Sequence, residues 1–153
     1  MSRGIELVDL PGIARWLSED SRSVWDLLGA KGGAELAVAF SSFFWPEFVE
    51  VEDCVLLRER YSPSRFQDWW KELGGDRSRI EAVVNHVHLW DLFDLDEEGL
   101  PNEAIRDLAQ ILASTWRCAL QRRFPQKVFK VRVILDDPEE YGPTIVFSTV
   151  RQS

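Results

Sequence analysis

The sequence has few cysteines, no long apolar run and no excess of basic residues. Its two cysteines, Cys54 and Cys118, are too few and too far apart for a disulfide framework. No apolar stretch reaches the roughly 18 residues that a membrane-spanning helix needs. No charged leader precedes an apolar run at the N-terminus. We therefore expect a cytoplasmic protein that does not bind a membrane.

Acidic residues outnumber basic ones by 26 to 18, which gives a formal net charge of −8 at pH 7. Such a chain repels phosphate backbones, so we expect no nucleic-acid partner, whereas a basic protein surface would be attracted. Hydrophobic residues make up 45% of the sequence and charged residues 29%, which is typical of a globular protein. The length of 153 residues predicts a single domain over residues 1–153.

No catalytic or ligand-binding motif is complete in the sequence, and no motif carries a family resemblance. The glycines in 29–33 lack the spacing and the Lys-Ser/Thr pair of a P-loop. Residues 94–99 imitate the start of an EF-hand loop, but position twelve is Ile105, where that loop needs a bidentate glutamate. Neither cysteine lies in a local nucleophile motif. We therefore predict no cofactor and no calcium site.

The clearest secondary-structure signal is a long helix over residues 102–124 that leads into a C-terminal β-hairpin. Apolar residues recur along one side of this stretch at about 100° per residue, the spacing of a helix packed on a core. They include Ile105, Leu108, Leu112, Trp116, Ala119 and Leu120. Residues 128–135 alternate between apolar and mostly basic side chains, which predicts a strand with one face in water. Residues 144–150 form its predicted antiparallel partner.

Shorter elements complete a predicted α+β fold. Helices are expected at 10–17, 24–28, 64–73 and 77–93, and two short strands at 48–52 and 55–60. The predicted N-caps are Asp9, Ser21 or Ser23, Ser64 and Asp76. The apolar segment 34–45 favours a buried helix, with a strand as the alternative. Together these elements predict a small antiparallel sheet of three or four strands with helices packed mainly on one face.

His86 and His88 lie within the predicted helix 77–93. On a helix their side chains point about 160° apart, which suits one metal ion poorly, so we predict no metal site. In an extended segment they would share a face. On the helix Asp91 would be within hydrogen-bonding reach of His88, and such a pair either ties a helix to its neighbours or orients a general base. His88, Asp91 and Glu81 are therefore the candidate catalytic residues of an alternative function as an enzyme or small-molecule-binding protein.

An acidic segment beside a tryptophan is the leading candidate for a partner-binding surface. Its residues are Trp90, Asp94, Asp96, Glu97 and Glu98. Dense negative charge repels itself, and a basic surface would relieve that repulsion and associate faster. Seven tryptophans are more than a domain of 153 residues readily buries, and tryptophan is enriched at binding hot spots. We therefore expect a non-enzymatic protein-binding domain, of the general type of small acidic inhibitor or immunity proteins, that recognises a basic protein surface. A homodimer is the other partner considered.

Overall fold

The computed structural model describes residues 6–18, 23–95 and 100–152. In chain order the helices are α1 (Pro11–Leu17), α2 (Val24–Lys31), α3 (Ala34–Phe44), α4 (Pro63–Glu72), α5 (Arg77–Val84) and α6 (Asn102–Arg123). The strands are β1 (Phe48–Val51), β2 (Cys54–Leu57), β3 (Val87–His88), β4 (Phe129–Ile134) and β5 (Thr144–Thr149). Short 3-10 turns occupy Leu7–Asp9, Arg58–Arg60 and Leu89–Asp91. None of the helices in these ranges is long and apolar enough to cross a membrane.

The long helix and the C-terminal hairpin are confirmed, and with them the α+β class. α6 begins directly after Pro101 and ends before Phe124. Its apolar side packs against β4 and β5. Leu112 and Trp116 are buried there, whereas Leu108 is only partly buried. β4 and β5 pair antiparallel along their whole length.

The strands form two small antiparallel sheets. β1 and β2 are joined by a turn at Glu52 and Asp53, whose φ angles of 49° and 62° are left-handed, as in the tight turns that match the twist of paired strands. The two predicted short strands are therefore confirmed and form a hairpin, although the second strand ends at Leu57. The other sheet has the order β3-β5-β4. Its short strand β3 lies in a segment that we predicted to be helical.

Glu81 of α5 and Asn85, which caps the end of that helix, join β2 to β5, where the strands do not pair with each other. Fully buried Glu81 accepts hydrogen bonds from the backbone N–H groups of Val55 and Thr149, at 2.8 and 2.7 Å. One helical turn later, the Asn85 amide donates to the backbone carbonyls of Val55 and Phe147. Buried backbone groups need partners, and here helix side chains supply them in place of a strand ladder.

The predicted helix 77–93 is wrong beyond Val84. α5 ends there because Asn85 turns toward the junction between the two sheets, where its amide is fully buried. The chain then extends into β3 and makes a single 3-10 turn. His88 and Asp91 therefore do not share a helix, and the geometry on which their predicted pairing depended does not exist.

Two of the predicted N-caps are correct and two are wrong. Ser23 and Asp76 each accept a hydrogen bond from the third backbone N–H of the following helix. Asp9 does not cap α1, and Ser62 rather than Ser64 caps α4. A proline follows Ser62, and proline favours the first helical position, so the serine before it becomes the cap.

α3 is a helix, but the prediction that it is buried is wrong. Every residue from 34 to 42 is exposed, with exposed fractions of 53% at Leu36 and 70% at Val38. Only its C-terminal end packs against the core, through Phe43 and Phe44. α2 continues to Lys31, beyond its predicted end at residue 28, and also has no buried residue. The N-terminal helices therefore present apolar side chains to solvent.

Candidate functional site

The two histidines lie side by side on an extended segment. His88 is in β3 and His86 precedes it by two residues, so both side chains leave the chain on the same side. Their ring centroids are 4.9 Å apart. β3 pairs antiparallel with the start of β5, where His88 lies opposite Thr144. The extended backbone removes the divergence that a helix would have imposed.

Glu140 joins the histidines from the loop between β4 and β5. Its Oε2 lies 3.0 Å from His86 Nε2 and 3.6 Å from His88 Nδ1. One ring nitrogen of each histidine and one carboxylate oxygen of Glu140 all lie within 4.8 Å of one another. The side chains are 29%, 12% and 17% exposed in the order His86, His88 and Glu140. We call these three residues the His–Glu cluster.

Neighbouring residues fix the loop that carries Glu140. The Tyr141 ring lies against the His88 ring, with centroids 3.8 Å apart. Gly142 has a φ of +95°, and its missing side chain leaves room for the Trp90 indole, which a Cβ atom would overlap. The loop therefore depends on a glycine for both its backbone conformation and its close approach to Trp90.

A hydrogen bond to Thr144 determines which nitrogen of the neutral His88 ring carries the proton. Thr144 Oγ1 lies 2.8 Å from His88 Nδ1 and donates its own proton to the Gly142 carbonyl at 3.1 Å. Because a hydroxyl has one proton, we assign the proton of the first bond to His88 Nδ1, which leaves the lone pair on Nε2. Burial, followed by the nearby His86, lowers the pKa of His88 below its ordinary value although Glu140 opposes this shift. The neutral ring is therefore favoured at neutral pH.

Charges of both signs flank the His–Glu cluster. The Arg60 guanidinium donates to the backbone carbonyl of His86 at 2.6 Å. The exposed Asp91 carboxylate accepts a hydrogen bond from the Tyr141 hydroxyl at 3.3 Å. The predicted hydrogen bond between His88 and Asp91 is not formed, because His88 bonds to a residue of β5 instead.

Glu81, the third candidate catalytic residue, does not belong to this cluster. Its carboxylate is fully buried at the junction of the two sheets. Arg151 Nη1 and Nη2 donate to it at 2.9 and 3.1 Å. The Thr149 hydroxyl adds a further hydrogen bond at 2.8 Å, in addition to the two backbone N–H groups described above. These bonds occupy the Glu81 oxygens, so its position fits a structural role.

The two cysteines have different surroundings. Cys54 is fully buried in β2, and burial raises the pKa of its thiol to about 11. It therefore stays protonated at neutral pH and is a poor nucleophile. Cys118 is exposed on α6.

α3 exposes a nearly uncharged helical surface. Its exposed apolar residues include Leu36, Val38 and Phe40, which we call the α3 surface. Glu35 is the one charged residue of this helix. On α2, Trp25 is 82% exposed. Leu36 and Phe40 are four residues apart and share one side of the helix, whereas Val38 points about 160° away from both. Exposed apolar side chains grouped on one helix mark interaction sites in proteins more often than isolated exposed residues do.

The α3 surface adjoins the segment that we predicted to bind a partner. The Phe93 ring lies 6.0 Å from the Phe40 ring and 5.7 Å from the Phe43 ring. Trp90 is 40% exposed, and Asp94 is exposed. The other predicted binding residues, Asp96, Glu97 and Glu98, lie outside the described residues. The start of the acidic segment is thus next to apolar α3, a neighbour that sequence periodicity does not reveal.

A small, mostly apolar cavity opens beside α3. Its volume is about 130 Å³. The apolar side chains that line it belong to Phe43, Leu57, Val87, Leu92 and Trp116. Glu47, Glu59 and Asp91 also line it, together with the basic Arg60. The cavity therefore combines an apolar wall with an excess of acidic groups.

Comparisons with known proteins identify no relative of this chain. No family model, curated protein or solved structure gives a significant match. Function is therefore inferred from the residues of this chain and their arrangement.

Proposed function

We propose that this chain is a non-enzymatic protein-binding domain whose partner presents a basic surface, in the manner of a small acidic inhibitor or immunity protein. The observation that carries this proposal is the exposure of α3, in which every residue from 34 to 42 faces solvent. An isolated helix of this length is only marginally stable in water. Apolar side chains stabilise such a helix when another surface covers them, and a bound partner supplies that cover.

The charge around α3 favours a basic partner. Glu47, Glu59 and Asp91 line the cavity beside the α3 surface, and Asp94 is exposed close by. An apolar anchor residue of the partner fits such a cavity, while lysine or arginine side chains around that anchor meet the carboxylates. The apolar contact then supplies most of the affinity, and the charges mainly raise the association rate.

The same charges argue against two other occupants of the α3 surface. Helices that lie on membranes have lysine and arginine along their polar face, and α3 has neither residue. A second copy of the chain would bring together two molecules that each have a formal net charge of −8, and this repulsion opposes self-association. A different, basic protein is the occupant that fits both the apolar helix and the acidic surroundings.

The test is affinity capture from the source cells with the wild-type chain and two matched lysine variants. Leu36→Lys places a positive charge on the side of the α3 surface that Phe40 shares, where Leu36 is 53% exposed. Val128→Lys makes the same change at a site that is 64% exposed just before β4. Both variants should fold like wild type by circular dichroism, because neither site is buried. We expect Leu36→Lys to lose the captured partner and Val128→Lys to retain it.

A variant of the acidic segment tests the charge part of the proposal. Asp94, Asp96, Glu97 and Glu98 are changed to Asn or Gln, and association with the captured partner is followed by stopped flow at several salt concentrations. Association should slow, and its salt dependence should flatten. An unchanged rate and salt slope would show that these charges are not used in binding.

Three outcomes would contradict the proposed function. One is equal capture by the wild type and Leu36→Lys, which would remove the α3 surface from the interaction. Another is a wild-type dimer in sedimentation velocity that Leu36→Lys dissociates, which would make a second copy the occupant. The third is a monomer that retains no specific protein at micromolar concentration.

A further inference from the structure

We propose that the His–Glu cluster binds a divalent transition-metal ion, with one imidazole nitrogen each from His86 and His88 and one carboxylate oxygen from Glu140 as ligands. Imidazole suits Zn²⁺, Cu²⁺, Ni²⁺ and Fe²⁺, and two histidines with one glutamate are an established ligand set for Zn²⁺. The site uses none of the residues of the α3 surface, so it stands independently of the proposed partner binding.

The spacing of the three groups suits a shared ion. Bonds of about 2.0–2.2 Å at tetrahedral angles place two ligand atoms of Zn²⁺ about 3.3 Å apart. His86 Nε2 and Glu140 Oε2 are 3.0 Å apart, and all three ligand atoms lie within 4.8 Å of one another. Small rotations of these partly exposed side chains are therefore enough to surround an ion.

The residues behind the ligands hold them as metal sites commonly do. A metal-ligating histidine usually donates its other ring N–H to an oxygen, which fixes the ring and its tautomer. His88 Nδ1 makes such a bond to Thr144 Oγ1 at 2.8 Å, and it is also the ring nitrogen that lies 3.6 Å from Glu140 Oε2. An ion bound through Nε2 keeps the bond to Thr144 and requires the His88 and Glu140 side chains to rotate toward each other. Tyr141 packs against the same ring, and Gly142 lets Trp90 approach the loop that carries Glu140.

The surroundings allow an ion to enter. The three side chains are between 12% and 29% exposed, so the cluster is partly shielded but open to solvent. Three protein ligands leave a fourth position for water, as in open zinc sites. Asp91 adds negative charge through its bond to Tyr141, whereas Arg60 at the backbone of His86 opposes a cation. The two acidic groups, Asp91 and Glu140, outnumber the one basic group, Arg60.

The competing role for the cluster is a hydrogen bond between His86 and Glu140 with no ion. A metal ion would replace the proton that these two groups now share across 3.0 Å. Magnesium and calcium prefer oxygen ligands, so neither ion should substitute for a transition metal here. These differences separate a metal site from a hydrogen-bonded pair by experiment.

The test uses the full-length chain after treatment with chelator and dialysis. Isothermal titration with Zn²⁺ should show one site per chain with micromolar or tighter affinity, and the melting temperature should rise because the ion binds the folded state. Co²⁺ should give the visible absorption of a site with nitrogen and oxygen ligands. Ca²⁺ and Mg²⁺ should have neither effect.

Variants identify the ligands. His86→Ala and Glu140→Gln should each weaken Zn²⁺ binding by at least about tenfold, since second-sphere changes alone already cost that much. Glu139→Gln, at the neighbouring exposed acid, is the matched control and should bind as wild type does. All three sites are on the extended segment or the loop, so melting curves without metal should show whether each variant is folded.

The proposal is overturned if the wild-type chain binds no Zn²⁺ stoichiometrically. It is also overturned if folded His86→Ala binds with unchanged affinity, which would place the ion elsewhere. Should a ligand variant fail to fold, the wild-type titration and the Co²⁺ spectrum still decide. An absent Co²⁺ band together with an unchanged melting temperature would leave only the hydrogen-bonded pair.

Discussion

The buried carboxylate of Glu81 and the guanidinium of Arg151 form an ion pair with two hydrogen bonds of 2.9 and 3.1 Å. Glu81 is fully buried, whereas the Arg151 side chain is 25% exposed. Arg151 also donates to the backbone carbonyl of Asp53 in the β1–β2 turn at 2.6 Å. One pair of charges therefore connects α5, both sheets and the end of the described chain.

Glu81→Gln should destabilise the protein by about 3–5 kcal/mol, the usual effect of breaking a buried ion pair. The amide can accept only one of the two backbone N–H groups that Glu81 now binds, and it removes the buried negative charge that pairs with Arg151. Urea unfolding followed by circular dichroism measures the loss. Glu72→Gln, an exposed change at the end of α4, should alter the free energy of unfolding by less than about 0.5 kcal/mol.

Leu112→Ala should lower the free energy of unfolding by about 2–5 kcal/mol, because Leu112 is fully buried where α6 packs against the sheet. The loss combines reduced apolar burial with the cavity left behind. Val128→Ala truncates an exposed side chain and serves as the control. If the two variants unfold at the same urea concentration, Leu112 does not pack as described.

Local patterns were sufficient for α6 and for the hairpins. The apolar positions of α6 repeat over about four turns, so its buried side, including Leu112 and Trp116, is visible in the sequence. Strand β4 shows alternation, and one connection joins it to β5. Ser62 could also have been predicted as the cap of α4, because Pro63 marks the first helical position.

Local sequence patterns could not predict the His–Glu cluster. β3 exists because it pairs with the start of β5, a contact between residues 56 positions apart at His88 and Thr144. Helical periodicity continues through this stretch, so local signals favour the wrong structure. Glu140 comes from a loop 54 residues after His86, and nothing in the sequence joins the two.

The prediction that α3 is buried was wrong for a different reason. An apolar segment predicts burial only if another part of the protein covers it, and hydrophobicity contains no information about the covering surface. Leu36 and Val38 have the composition of a core and the exposure of a surface. The exposure of these apolar side chains is the observation on which the proposed function rests.

Acid should remove the contribution of Asp53 to stability. A hydrogen bond from Lys127 holds the pKa of Asp53 below its ordinary value, although burial opposes this. A lowered folded-state pKa stabilises the folded protein above the unfolded pKa of about 3.9, and this contribution is lost as pH falls through the folded value. Asp53→Asn keeps a residue that tolerates the φ of 62° and removes the charge.

The free energies of unfolding of wild type and Asp53→Asn should therefore differ at neutral pH and converge below about pH 4. The difference should stay below about 1 kcal/mol, because Asp53 is 57% exposed and solvent screens the pair. Urea unfolding across this pH range measures it. A difference that is constant with pH would mean that the charge of Asp53 does not stabilise the fold.

Gly142→Ala should both destabilise the protein and weaken the proposed metal site. The φ of +95° disfavours any residue with a Cβ, and the added atom would overlap the indole of Trp90. We expect a loss of about 1–3 kcal/mol in urea unfolding and weaker Zn²⁺ binding, since the displaced loop carries Glu140. Gly29→Ala in α2 meets no atom within 4 Å and should cause neither effect.

In a Trp90→Ala background the loss of stability caused by Gly142→Ala should be smaller, because the overlap is removed while the backbone strain remains. Equal costs in both backgrounds would show that strain alone, and not the approach of Trp90, requires the glycine.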